Sequence, residues 1–254
     1  MIVKPKAAEF FRDFLARDAW VPEPIVMSGV TDCYQPAERH FRLARGCLEV
    51  AAEARQPMSL LTKNALILRD LDLLRGMATE HLLHVNISIT TLDAELARSM
   101  EPRTSTPAAR LRTVRMLAGA GIPVRVLLAP IIPGLNDSEI PAILAAVKEA
   151  GAGAAGYQLL RLPLTVAPVF LDWLTREQPH RLKKIEGRVR DMRGGKLNNP
   201  EFGKRMCGTG EMAHQIGELF GLFAGRYGLD GELPPYDCRL FRPPLPRSGQ
   251  LRLF

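Results

Sequence analysis

Between Leu83 and Thr90 the chain reads Leu-His-Val-Asn-Ile-Ser-Ile-Thr, with apolar and polar side chains in unbroken alternation. A period of two marks a β-strand with one apolar and one polar face. Strands of an open doubly wound sheet are covered by helices on both sides and read as continuous apolar runs, so that architecture does not suit this segment. A barrel does. Its lumen can be polar, and Asn86, Ser88 and Thr90 are then expected to point at a ligand near the strand's C-terminal end, where barrel sites are built. The alternative is an antiparallel strand with one wet face, and the helical patterns on either side argue against it.

The same reading places further strands at 24–27, 58–62, 124–130 and 156–162. Helical stretches separate them. Thr106 is placed to cap a helix with Pro107 at its first position, Leu111, Val114 and Leu117 on one face, and Gly119 and Gly121 at its end. Asp137 or Ser138 caps the next, with Pro141 in its first turn and Gly151 at its end. This β-α-β-α order predicts an α/β protein with a parallel sheet, closed into a partial barrel. After Leu164 the pattern changes to one or two helices over 170–193. A Gly- and Arg/Lys-rich loop over 193–210 follows, and then a last helix over 212–227 with Ile216, Leu219, Phe220 and Phe223 on its core face. The loop's composition suits phosphate contact, and equally suits a solvated cover over the barrel end. The expected organisation is a barrel core at 1–165, a C-terminal helical region at 166–230 and a Pro-rich tail at 231–254.

Composition narrows the setting. With 254 residues, 46% of them hydrophobic, the chain can bury one sizeable core. No apolar run has the length of a membrane span, and Met1 to Lys6 is not a signal region, so a cytoplasmic protein without a membrane partner is expected. Cys33, Cys47, Cys207 and Cys238 are too widely spread for a disulfide framework or a metal motif, so no metal site is expected in this chain. The net charge of +7 fits a polyanionic partner such as nucleic acid.

The segments that follow the strands carry a resemblance. They read Ser28-Gly29-Val30-Thr31-Asp32-Cys33-Tyr34, then Leu61-Thr62-Lys63, then Ser88-Ile89-Thr90-Thr91-Leu92-Asp93 with Met100-Glu101-Pro102-Arg103, then Ala129-Pro130-Ile131-Ile132-Pro133-Gly134. In this order, from about Lys4 to Arg205, the set resembles radical S-adenosylmethionine (SAM) proteins of the spore-photoproduct-lyase-like group. The resemblance implies a partial (β/α)6 parallel barrel, here missing its first strand, with C-terminal helices and a Pro-rich tail. It implies that Thr31 contacts SAM, that Lys63 pairs with the SAM carboxylate and that Ser88 bonds the same group. A zwitterionic amino acid needs a cation for its carboxylate and an acceptor for its ammonium. Asp32 is the candidate acceptor, Thr90 belongs to the same polar wall, and the stretch from Pro130 to Pro133 is placed to pack the adenine.

Two departures shape the expected function. The group holds a [4Fe–4S] cluster on a Cys-x-x-x-Cys-x-x-Cys loop after its first strand. That loop is absent here, so this sequence is expected neither to assemble the cluster nor to cleave SAM. A start codon assigned too far downstream is the favoured explanation over a truncated product, because a barrel without its first strand leaves an exposed edge. Second, the position matching the group's hydrogen-donating cysteine is Gly29. Cys33 and Tyr34 are the weak alternatives, and the substrate stays open.

The chain ends Gln250-Leu251-Arg252-Leu253-Phe254 after the Pro-rich segment 234–246, which is expected to act as a semi-rigid linker. The pentapeptide resembles the bacterial sliding-clamp-binding motif, with Gln250, Leu251, Leu253 and Phe254 as contacts; the alternative is a tail folded back onto the barrel. The expectation is a radical SAM-type protein of DNA or nucleotide repair or modification. A non-catalytic binder docked on the clamp is the alternative, and an unrelated barrel enzyme with a phosphate site between Gly194 and Gly210 is a third.

Overall fold

The computed structural model describes residues 3–28 and 31–244 of the chain. It is built on one five-stranded sheet, all parallel, in the sequential order β1 (Ile25–Met27), β2 (Met58–Thr62), β3 (Leu83–Ser88), β4 (Val124–Ile131) and β5 (Ala154–Leu159). Helix α1 (Ala7–Leu15) precedes the sheet. The crossovers carry α2 (Glu38–Phe41) and α3 (Leu43–Ala54), then α4 (Leu71–Thr79), then α5 (Ala94–Met100) and α6 (Pro107–Gly119), then α7 (Ile140–Glu149). After β5 come α8 (Val166–Glu177), α9 (Leu182–Asp191) and α10 (Glu211–Arg226). No helix among the described residues is long and apolar enough to cross a membrane.

The alternation read from the sequence is the alternation in space. Met58 and Leu60, Leu83, Val85 and Ile87, and Val124, Val126 and Leu128 are buried in one apolar cluster with residues of the surrounding helices. Their neighbours Ser59 and Leu61, His84 and Asn86, and Arg125 and Leu127 are only half-buried. The face these residues share carries the polar groups, as a lumen does.

Local signals set the helix ends. The Thr106 hydroxyl accepts from Ala109 N at 3.3 Å, with Pro107 opening α6. Helix α7 starts later than its expected cap. A 3-10 turn over Asp137–Glu139 comes first, and Asp137 binds Gly134 N instead of capping α7. Gly151 ends α7 with φ +94°, a left-handed conformation that costs glycine little.

Strand β1 has three residues, Val26 is 63% exposed, and among the described residues no strand pairs with its outer edge, which the sequence reading expected to be exposed. One feature differs from the sequence reading. The segment from Pro234 does not stand off as a linker. His84 Nε2 lies 2.8 Å from Pro234 O, and the Tyr236 ring packs 3.9 Å from the His84 ring. Asp237 N donates to His81 O at 3.1 Å and Arg242 N to Ala54 O at 2.8 Å. The strand-start ends of β2 and β3 present polar groups that this segment can satisfy, and composition alone does not reveal such partners. Residues 250–254, the expected clamp peptide, lie outside the described residues.

Candidate functional site

A cavity of about 480 Å³ opens at the C-terminal ends of β2, β3, β4 and β5. Thr31, Asp32, Lys63, Ser88 and Pro130 line it together with Leu61, Leu127, Gln158 and Arg161.

The β1 loop is shaped by its own short side chains. Ser28 holds a left-handed backbone (φ 95°), which a residue with a Cβ rarely adopts. Its hydroxyl accepts from Cys33 N at 2.7 Å and donates to Thr31 O at 3.0 Å, bracing the turn. Asp32 then ties this loop to the end of β2. Its Oδ1 accepts from Tyr34 N and from the Thr62 hydroxyl, and its Oδ2 from Lys63 N, at 2.7 to 2.8 Å. A carboxylate has about four acceptor positions. With two used on Oδ1 and one on Oδ2, a position remains on Oδ2.

Lys63 is not a free cation. Its ammonium pairs with Glu101 and lies 3.4 Å from the Thr90 hydroxyl. Glu101, 9% exposed, also binds the guanidinium of Arg110, 2% exposed, at 2.6 Å. Arg110 completes its bonds with Ser88 O at 3.0 Å, Ser105 O at 2.8 Å and the Thr104 hydroxyl at 2.5 Å. Burial pushes the Glu101 carboxyl up, but the charges of Lys63 and Arg110 and their hydrogen bonds outweigh it and hold it below the usual range. Sequence reasoning quoted Glu101 without giving it a role and missed Arg110 entirely. An arginine on the buried face of a helix leaves no periodic signal.

The remaining expected residues are dispersed. Ser88 donates to Ala129 O at 2.9 Å. Thr90 is buried against Glu101 and Ala129 O and does not line the cavity; it supports Glu101 from behind. Asn86 bonds Ser59 and Leu60 O and does not line the cavity. Pro130 is on the wall, whereas Pro133 is buried in the turn that follows. Asn136 fixes that turn, donating to Thr90 O and Pro130 O and accepting from Ile132 N.

Neither weak catalytic candidate lines this cavity. Tyr34 is fully buried and bonds Asp70 at 3.1 Å; burial first, and then the Asp70 charge, push its hydroxyl up. Cys33 faces an adjoining cavity of about 410 Å³, which Cys47 also lines and which shares Thr31 and Asp32. Burial pushes the Cys33 thiol up to about 12, so it is a neutral S–H and not a thiolate. Several amides of the 193–210 loop are taken by nearby carbonyls: Gly195 N binds Arg190 O, Gly208 N binds Lys204 O and Thr209 N binds Met192 O. These three are not open donors.

Comparisons with known proteins give the family and the fold. The model of the radical SAM superfamily matches residues 7–147. An uncharacterized protein of Mycobacterium tuberculosis is 34% identical over 181 residues, covering 70% of this chain and 53% of its own length. One of Methanocaldococcus jannaschii is 32% identical over 125 residues, covering 49% and 47%. The chain thus spans about half the length of these curated relatives. In three dimensions it resembles a spore photoproduct lyase mutant with bound AdoMet and dinucleoside spore photoproduct. The TM-score is 0.62 at 16% identity, covering 87% of this chain and 64% of the lyase.

Proposed function

Since this chain belongs to the radical SAM superfamily, we propose that the cavity binds S-adenosylmethionine beside a nucleotide-derived substrate. One observation carries the reading: Thr31, Asp32, Lys63, Ser88 and Pro130, drawn from four separate loops and strand ends, line a single cavity. The cavity volume suits a small polar ligand. Lys63 keeps a donor beyond those directed at Glu101 and Thr90, and that donor serves the methionine carboxylate. The open position on Asp32 Oδ2 serves the ammonium. Ser88, whose proton is directed at Ala129 O, offers lone pairs and suits the ammonium better than the carboxylate. Pro130 gives the adenine an apolar surface. Bound SAM supplies the carbon–sulfur bond that the superfamily cleaves.

The residues present do not fit the superfamily's iron–sulfur cluster. Among the described residues no group of three or more His, Cys, Asp or Glu is placed to hold a metal. What these residues do is bind and orient. DNA or nucleotide repair or modification is the favoured setting, supported by the dinucleoside spore photoproduct bound in structural neighbours and by the net charge of +7.

The experiment is calorimetric titration with SAM and with 5′-methylthioadenosine, which lacks the amino-acid end. Lys63→Ala should weaken SAM about ten-fold or more and leave methylthioadenosine unchanged. Equal loss of both ligands, or of neither, rejects the reading. The second reading, a non-catalytic binder docked on the sliding clamp, draws support from the pattern at Gln250, Leu251, Leu253 and Phe254 alone. Deleting those residues should abolish clamp pull-down, and retention by the shortened chain rejects it.

A further inference from the structure

Two cationic side chains line the cavity, Lys63 and Arg161, and among the described residues only the first has a carboxylate partner. At Lys63, Glu101 supplies the counter-charge. Arg161 projects from just beyond β5, beside Gln158. Among the described residues no carboxylate pairs with it. Its Nη1 reaches only the thioether of Met206, at 3.8 Å, and its Nε is buried with no partner. Thioether sulfur is a weak acceptor. A guanidinium stays charged at any working pH and has five donors. Leaving buried donors unbonded is costly, and native structures rarely do so without a reason.

The neighbourhood adds positive charge. Arg193, close enough for the two guanidinium charges to repel, is buried with Nη1 and Nη2 directed at the carbonyls of Leu159, Leu160, Lys204 and Arg205 and with its Nε unpartnered like that of Arg161. Those bonds pin the 193–210 loop beside Arg161, and Leu159 N binds Met206 O to the same end. On the pinned loop Phe202 is 86% exposed, with the Arg205 guanidinium 5.3 Å from its ring centroid. An exposed ring backed by a cation is a platform on which a base can stack.

We propose that Arg161, with Gln158, is the phosphate subsite of this cavity, and that Phe202 and Arg205 receive an adjoining base. The substrate class is therefore a nucleotide phosphate ester, either a free nucleotide or one unit of a single strand. This rests on the reading of the cavity as a SAM and substrate site. A forked guanidinium matches two phosphate oxygens, which a lysine cannot do.

The test uses the full chain and three probes: thymidine, thymidine 5′-monophosphate and a short fluorescent oligothymidylate. Arg161→Met keeps most of the stem and removes the fork. It should weaken thymidine monophosphate about ten-fold or more, leave thymidine and SAM unchanged, and lower the salt slope of oligonucleotide binding by about one. Arg161→Lys should recover only part of the loss. Because Arg161 is half-buried, thermal midpoints of both variants are checked against the parent. If Arg161→Met unfolds, the proposal stands or falls on Arg161→Lys, which must weaken the monophosphate. Phe202→Ala separates the two sources: loss confined to the oligonucleotide identifies a strand, and loss on the monophosphate as well identifies a free nucleotide. Unchanged monophosphate binding in both Arg161 variants overturns the proposal. So does a parallel loss of SAM, which would make Arg161 a cofactor contact. Failure of the SAM reading shows separately, as SAM binding indifferent to Lys63→Ala.

Discussion

Replacing Glu101 by glutamine tests the electrostatic frame of the site. The side chain keeps its shape and one acceptor oxygen, loses its charge and exchanges the second acceptor for an NH2 donor. Arg110 is then left 2% exposed with no carboxylate beside it. Breaking a buried ion pair from one side costs roughly 3–5 kcal/mol, and the retained amide places this case at about 3 kcal/mol. For a chain of this size each kcal/mol moves the melting midpoint by about 2–4 °C, so a fall of roughly 6–12 °C is expected. Lys63→Met is the control. Lys63 is 26% exposed and its loss leaves Glu101 paired with Arg110, so about 1 kcal/mol is expected. The pH dependence has a definite sign. The carboxyl of Glu101 is held below its unfolded value, so its contribution is fully present above about pH 4.3 and is lost as the pH falls through the folded value. The gap between parent and Glu101→Gln should therefore be constant from neutral pH down to that point and close below it. The assay is thermal unfolding followed by circular dichroism across that range. A gap under about 2 °C at neutral pH, or one that persists unchanged into acid, refutes the reasoning.

Asn136→Ala removes the partner of Thr90 O, Pro130 O and Ile132 N in a buried turn; about 3 kcal/mol of stability is expected to go, read as a lower urea midpoint at unchanged slope. Arg193→Lys cannot reach all four carbonyls that the guanidinium holds, so limited proteolysis should begin cutting within 194–210 while the rest of the chain resists. In native protein near pH 8, iodoacetamide should label exposed Cys207 well before Cys33 and Cys47, whose thiols burial pushes up to about 12 and about 11; early labelling of Cys33 contradicts that environment.

The strands were legible because alternation is a local signal. The run 58–62 coincides with β2. The run 83–90 overshoots β3 by two residues, since Ile89 still donates to Leu127 O and Thr90 keeps the alternation beyond it. β5 begins two residues ahead of its expected start, on small alanines that carry little periodic weight. The cavity wall was legible where a residue directly follows a strand, as with Lys63 and Pro130. What sequence could not show were pairings across crossovers. Glu101 lies thirty-eight positions from Lys63 and nine from Arg110, and nothing local indicates that it joins them. Arg161 was passed over for a related reason. It lines the cavity with no carboxylate beside it among the described residues, and that becomes visible only when its neighbours are placed.

The contacts of His81, His84 and Ala54 with residues 234–242 hold that segment at the foot of the strands, and the cavity mouth is at their heads. The 234–242 segment and the cavity thus lie at opposite ends of the same strands, so the foot can be altered without touching what lines the opening.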